Sequence, residues 1–351
     1  MEEKIILSIS EESFKKSVKE NFNKLSKLLY CIFLIEISII FFMRINFILI
    51  KKVNKSDKKK NYDKYLDNKQ NICENLNSFY NENYEKRIKI TDVNFHGKKY
   101  NMYVYKHSDR VSESIIKKKK WEDKESKNQL YALNYYSNKK NLKYEDIYIM
   151  DIGANIGWYS ILFGKYGFKV ISFEPTKINN YILNKNFCLN KEINITIINK
   201  GLYNKEEHCE IHNHIGNEGN GGVVCDKSKN LGNNNEKEII LTKLSNYIPL
   251  LSDKNLVLIK IDIEGSEGKA FEGGIELITK YHVPFIFLEF TPKSLKGHNT
   301  DPKRFLQLFI DNGYKISFLK FIDKKYYSIE DILKRAKNQI NLYIVYSKIL
   351  D

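Results

Sequence analysis

Five cysteines in 351 residues, Cys31, Cys73, Cys188, Cys209 and Cys225, follow no regular spacing. Such irregularity predicts no disulfide framework and no zinc site, and it leaves the redox compartment open. No Gly-Lys-Ser or Gly-Lys-Thr occurs, so the chain lacks the signature of a phosphate-cradling P-loop. Lysine runs such as Lys58 to Lys60 and Lys117 to Lys120 come without the aromatic ladder that single-strand nucleic-acid binding requires. The net charge of +15 is therefore read as a Lys- and Asn-rich composition with solvated faces, and no nucleic-acid partner is expected.

One long apolar run is present. Leu28 to Ile50 is interrupted by polar side chains only at Glu36, Ser38, Arg44 and Asn46, and it matches the roughly 20 residues needed to span a bilayer. A single membrane anchor is expected there, with no A-x-A-like cleavage site after it. Lysines flank it on both sides, so the positive-inside rule leaves its orientation open, and a type II arrangement in endoplasmic reticulum or Golgi is one possibility. Four segments follow: a tail at 1–27, the anchor at 28–50, a polar Lys/Asn-rich linker at 51–84 and a catalytic domain at 85–351.

Within that domain, Arg87 to Tyr105 alternates apolar and polar residues around His96-Gly97, which predicts a hairpin, and Asp123 to Tyr136 has helical spacing. Ile147 to Met150 then feeds the run DIGANIGWYS, Asp151 to Ser160, in which Gly153 and Gly157 let the backbone turn and approach a ligand before a helix opens. A second strand, Phe168 to Pro175, ends at Glu174, about twenty residues past the loop, where a ribose-binding acid belongs in such folds. A helix over 176–190 and strands at 193–198, 256–263, 284–290, 315–320 and 342–347 complete the pattern. Alternation of this kind argues for a parallel sheet with right-handed crossovers and ligands at the carboxyl ends of its strands. Between them, Lys205 to Glu238 is Gly- and Asn-rich and is expected to form loops or a hairpin over the active face.

DIGANIGWYSI, FEP at Phe173 to Pro175 and LIKIDIEGSEGKAFEGG at Leu258 to Gly274 resemble, in order and spacing, the FkbM family of methyltransferases. DRVSESI and WED upstream (Asp109 to Ile115, Trp121 to Asp123) extend the likeness to residues 85 to 348. The resemblance implies an α/β, Rossmann-like class I methyltransferase: a seven-stranded, mostly parallel sheet with helices on both faces, here preceded by the membrane helix. It also implies S-adenosylmethionine as cofactor and transfer to a hydroxyl of a glycan, lipid or small molecule. Asp151, Gly153, Asn155 and Gly157 would surround the methionine part, and Glu174 would accept hydrogen bonds from the ribose hydroxyls.

Lys260, Asp262 and Glu264 recur at period two near the end of the fourth strand, and Glu289 lies at the end of its neighbour. One carboxylate among Asp262, Glu264 and Glu289 is expected to act as general base. A Lys260–Asp262 ion pair that only supports the sheet is the competing explanation, and the same three acids could hold a divalent metal that the sequence does not require. His208, His212 and His214 with Cys209 and Cys225 lack metal-ligand spacing and are read as surface or pocket residues. A catalytically silent module of the same fold, binding or scaffolding at a membrane, would be expected to carry a damaged loop; here the loop is intact.

Overall fold

The computed structural model describes residues 73, 81–107, 109–214, 217–225, 237–248, 251 and 254–351. The tail, the anchor expected at 28–50 and all of the linker except Cys73 and residues 81–84 lie outside the described residues. Among the described residues, no helix is long and apolar enough to cross a membrane.

The Asn81 side chain accepts hydrogen bonds from the backbone N–H of Asn83 and Tyr84 and so starts α1 (Glu82–Arg87). Strands β1 (Ile88–Phe95) and β2 (Lys98–Tyr105) form the expected hairpin. His96 and Gly97 both have positive φ, 49° and 82°, the geometry that lets a two-residue turn follow the twist of its strands. Asp109 caps α2 (Arg110–Lys118) through the N–H of Ser112, and α3 (Asp123–Lys140) follows.

The central run is β3 (Ile147–Ile152), α4 (Trp158–Lys165), β4 (Lys169–Phe173), α5 (Lys177–Leu189) and β5 (Asn194–Ile198). Within the Gly/Asn-rich stretch the expected hairpin forms from β7 (Glu207–His214) and β8 (Asn217–Val224), and with β6 (Gly201–Tyr203) and β9 (Glu238–Lys243) it makes a separate four-stranded sheet, ordered β6-β9-β7-β8. Then come β10 (Asn255–Ile261), α6 (Glu267–Glu272), α7 (Glu276–Thr279) and β11 (Phe285–Phe290). The chain closes with α8 (Pro292–Gly297), α9 (Pro302–Asp311), β12 (Tyr314–Ser317), α10 (Ile329–Arg335) and β13 (Ile340–Tyr346). The sequence pattern predicts a Gly265-Ser266 turn and then one helix to about Tyr281; the turn is present, but the helix is broken between α6 and α7. There the backbone of Gly273 passes so close to Tyr203 that a Cβ would meet its carbonyl oxygen at 2.1 Å.

The main sheet has the order β12-β13-β11-β10-β3-β4-β5, and β13 runs antiparallel to both its neighbours. Alternate side chains separate into two cores, one per face. Ile147, Ile149 and Val170 enter one, while Met150, Ile152 and Ile171 enter the other. From β3 the chain winds outward through β4 and β5, then returns to β10 on the opposite side of β3. Strand order therefore reverses between β3 and β10, and the crevice at their carboxyl ends is where ligands bind in open α/β sheets.

The cysteines correct the sequence expectation. Cys73 is bonded to Cys188 with Cα atoms 5.5 Å apart, and Cys209 to Cys225 at 4.5 Å. The first pair is separated by 115 residues, so no spacing rule foretells it; packing at the end of α5 creates it.

Candidate active site

The loop leaving β3 is held open by three residues in the left-handed region, Gly153 at φ +74°, Asn155 at φ 51° and Gly157 at φ +95°. Gly153 cannot be anything larger, because a Cβ would lie 2.0 Å from the carbonyl oxygen of Asp262. The N–H groups of Gly153 and Ala154 both donate to the carbonyl of Phe173, which ties the loop to the end of β4. Asn155 bridges within the loop, its side-chain oxygen accepting from the N–H of Ile156 at 2.7 Å.

Glu174 sits at the tip of β4 and is buried. Oε2 accepts from the N–H of Asn155 at 2.8 Å, and Oε1 from the N–H of Thr176 at 2.9 Å. Burial raises its pKa above the usual carboxylate value, and the hydrogen bonds from Thr176, Asn155 and Asn179 oppose that rise. The Thr176 and Asn179 side chains donate to it besides the two backbone N–H groups, so Glu174 fastens the loop to the start of α5.

Asp151 lies beneath the loop, fully buried. It accepts from the Ser160 hydroxyl at 2.5 Å, and that hydroxyl also meets Ser172 at 2.7 Å. Its other oxygen faces the Lys260 ammonium at 3.5 Å. The sheet-supporting pair foreseen between Lys260 and Asp262 is thus made with Asp151 instead. Lys260 donates to the Gly153 carbonyl at 2.8 Å and lies 5.6 Å from the centre of the Tyr159 ring. Burial would pull its pKa down, but the charges of Asp151, Asp262 and Glu122 outweigh this and raise it, so Lys260 stays an ammonium clamped under the loop.

Beyond the end of β10 the chain turns through Asp262, Ile263, Glu264 and Gly265, with Glu264 at φ 58° and Gly265 at φ +103°. Glu267 holds this turn: Oε1 accepts from the N–H of Ile263 and of Gly265 at 3.0 and 3.2 Å. The turn and the end of β11 bring Asp262, Glu264 and Glu289 together, with one carboxylate oxygen of each within 4.8 Å of the others. Three oxygen donors at such spacing are chemically suited to a divalent cation, and equally to taking up a proton. Burial, and then the charges of Asp262, Glu264, Glu267 and Glu122, push the Glu289 pKa up to about 9.

Sequence reasoning passed over Glu122 as a site residue. It occupies a left-handed position, φ 40°, at the start of α3, and accepts from the Tyr159 hydroxyl at 2.6 Å. Burial pushes its pKa up to about 7; the Tyr159 hydrogen bond and Lys260 oppose this, and Asp262 adds to it. A carboxyl in strained backbone, poised near neutrality beside Asp262, has the features of a functional position. The one signal in the sequence was its place in the WED segment.

The His/Cys group provides no thiolate, because Cys209 and Cys225 are bonded to each other. His208 pairs with Glu238 at 3.1 Å, and the side chains of His212 and His214 lie outside those described. A cavity of about 280 Å³ against Phe95, Tyr144 and Phe168 lies at the amino ends of β3 and β4, away from these acids. A smaller cleft at the carboxyl ends runs between Gly153, Pro175 and Ser266 on one side and Gly201, Tyr203 and Leu241 of the small sheet on the other.

Residues 151–316 match the family described as Methyltransferase FkbM domain. No curated protein sequence matches the chain. Among solved structures, the precorrin-6y C5,15-methyltransferase from Geobacter metallireducens GS-15 is similar at 13% identity, covering 62% of this chain and 86% of that one with a TM-score of 0.33. The magnesium protoporphyrin IX methyltransferase from Synechocystis PCC 6803, solved with S-adenosylmethionine, shares 11% identity over 67% of this chain and 83% of that one, with a TM-score of 0.33.

Proposed function

Residues 151–316 belong to the FkbM methyltransferase domain family, whose members use S-adenosylmethionine, and from that premise we propose an O-methyltransferase that acts on a hydroxyl of a glycan, lipid or small molecule. We take the chain to be held at a membrane by residues 28–50, with nucleic acid not among its partners.

The observation that carries the reading is the coupling of Glu174 to the glycine loop. A buried carboxylate at the tip of β4 is fixed by the Asn155 N–H and so sits against the mouth of the loop. This donor set fits the cofactor: Glu174 would bind the ribose hydroxyls, and the backbone at Gly153, Asn155 and Gly157 would line the methionine part. Asp151 and Lys260 act one layer below, keeping the loop in place. S-adenosylmethionine supplies an electrophilic methyl group on sulfur.

This chain's own residues then have two tasks. They hold the acceptor hydroxyl in the crevice at the ends of β3, β10 and β11, where proximity and exclusion of water contribute much of the acceleration. They also receive its proton, a role for the carboxylates Asp262, Glu264 and Glu289. Calorimetry on the full chain tests the cofactor half of the proposal. Asp151→Ala and Glu174→Ala should each abolish binding, and undiminished binding in both would defeat it. Labelled methyl transfer into fractionated glycan, lipid and small-molecule extracts tests the other half, with label in none of the three pools favouring a silent binding module.

A further inference from the structure

All four cysteines among the described residues are in disulfides. The fifth, Cys31, falls within the apolar stretch 28–50. The two bonds are built into the fold in different ways. Cys209 and Cys225 face each other across the base of the β7–β8 hairpin, next to the paired Glu210 and Val224. Cys209 is fully buried and, among the described residues, packs with the buried Ile211, Ile239 and Leu241. The bond staples the base of the hairpin to that cluster. Cys73 and Cys188 join the segment preceding the domain to the end of α5, closing a separation of 115 residues.

Two other uses of these cysteines do not fit. Glu207, Cys209 and Cys225 have ligand atoms close enough for a metal ion, but the sulfurs are joined to each other and no thiolate remains. A catalytic or redox-sensing thiol must be accessible to attack, and Cys209 is 0% exposed. Structural disulfides that leave no free thiol in a domain are made and kept in oxidising compartments, whereas cytosolic thiols are held reduced.

We infer that the catalytic domain folds and works on the oxidising, non-cytosolic side of its membrane, and that its methyl donor reaches it through a carrier. The second clause rests on the proposed methyltransferase reading. S-adenosylmethionine carries a sulfonium, an ammonium and a carboxylate, and charged groups do not cross a bilayer unaided. A transport step must therefore supply the donor to that side, and the acceptor hydroxyl must be displayed there. This assigns residues 28–50 the orientation that the flanking lysines left open.

The test uses the full chain with a C-terminal tag in sealed membrane vesicles. After detergent lysis under denaturing, non-reducing conditions, a polymer-linked maleimide should leave Cys73, Cys188, Cys209 and Cys225 unlabelled. All four should react after dithiothreitol, and the tag should resist added protease until detergent is present. Cys31 lies outside both bonds and can take one label; labelling at any further site without reductant overturns the proposal, as does loss of the tag in intact vesicles. Cofactor binding to the same solubilised protein is scored separately. Its absence alongside intact disulfides and a protected tag would overturn the methyltransferase reading and the carrier, and leave the orientation standing.

Discussion

Gly153→Ala separates two costs that glycine turns usually combine, and Gly97→Ala is its internal control. Both glycines are left-handed, at φ +74° and +82°. A Cβ on Gly97 meets nothing within 4 Å, so that variant bears only the backbone term, about 1 kcal/mol. In a domain of this size that lowers Tm by about 2–4 °C. At Gly153 the new methyl lies 2.0 Å from the Asp262 carbonyl oxygen and 3.0 Å from Cγ2 of Ile263. The carbonyl cannot move freely, since the Asp262 N–H is bonded to the Ile152 carbonyl at 3.1 Å, in the β3–β10 pairing. Overpacking against backbone adds about 1–3 kcal/mol, for a total of about 2–4 kcal/mol and a Tm loss of roughly 5–12 °C. Relief of the clash moves the loop away from the acid-bearing turn, so cofactor affinity should fall at Gly153 and hold at Gly97. Calorimetric melting and cofactor titration of the two variants side by side give the answer. Equal Tm losses with unchanged affinity in both would refute the close approach of loop and turn.

Other perturbations reach the parts beneath and beside the loop. Lys260→Met leaves Asp151 as an uncompensated buried charge and should cost about 3–5 kcal/mol in urea denaturation, with under 1 kcal/mol counting against the clamp. The raised carboxyls set a pH trend: Glu122, near 7, and Glu289, near 9, bind protons more tightly when folded, so stability is lost as pH rises from the ordinary carboxylate value of 4.5 through those values. Tm should therefore drop between pH 5 and pH 8, and less steeply in Glu289→Gln; an unchanged slope would speak against the carboxylate cluster. Reduction of Cys209–Cys225 releases a 16-residue separation and should cost about 3 kcal/mol by chain entropy, and the 115-residue pair about 5 kcal/mol, measured as a denaturation shift with dithiothreitol.

Much of the fold was legible because its signals are local. The strand and helix periods and the His96-Gly97 turn act within a few residues of one another, and the structure places each where the pattern implied. The DIGANIG loop and Glu174 were legible for the same reason, since the spacing between a strand end and the next strand's tip is dictated by one βαβ unit. Where a turn lies against a distant neighbour, pattern fell short: the helix after Ser266 reads as continuous, yet it ends at Gly273, whose backbone passes close to the Tyr203 carbonyl.

By itself the sequence determined the succession of strands along the chain, the glycine loop and the acids that follow the strand ends, because hydrophobic period and glycine position act through the chain's own short-range geometry. Tertiary structure alone decided the partners. Lys260 could pair with Asp262 two residues away or with Asp151 on the next strand, and the parallel register that sets Lys260 opposite Asp151 chose the latter. Glu122 meets Tyr159 across 37 residues, and Cys73 meets Cys188 across 115. Such contacts carry no periodic trace, since they form only when separate elements pack, and the packing brings Glu122 in beside the acids and stitches the domain by its disulfides.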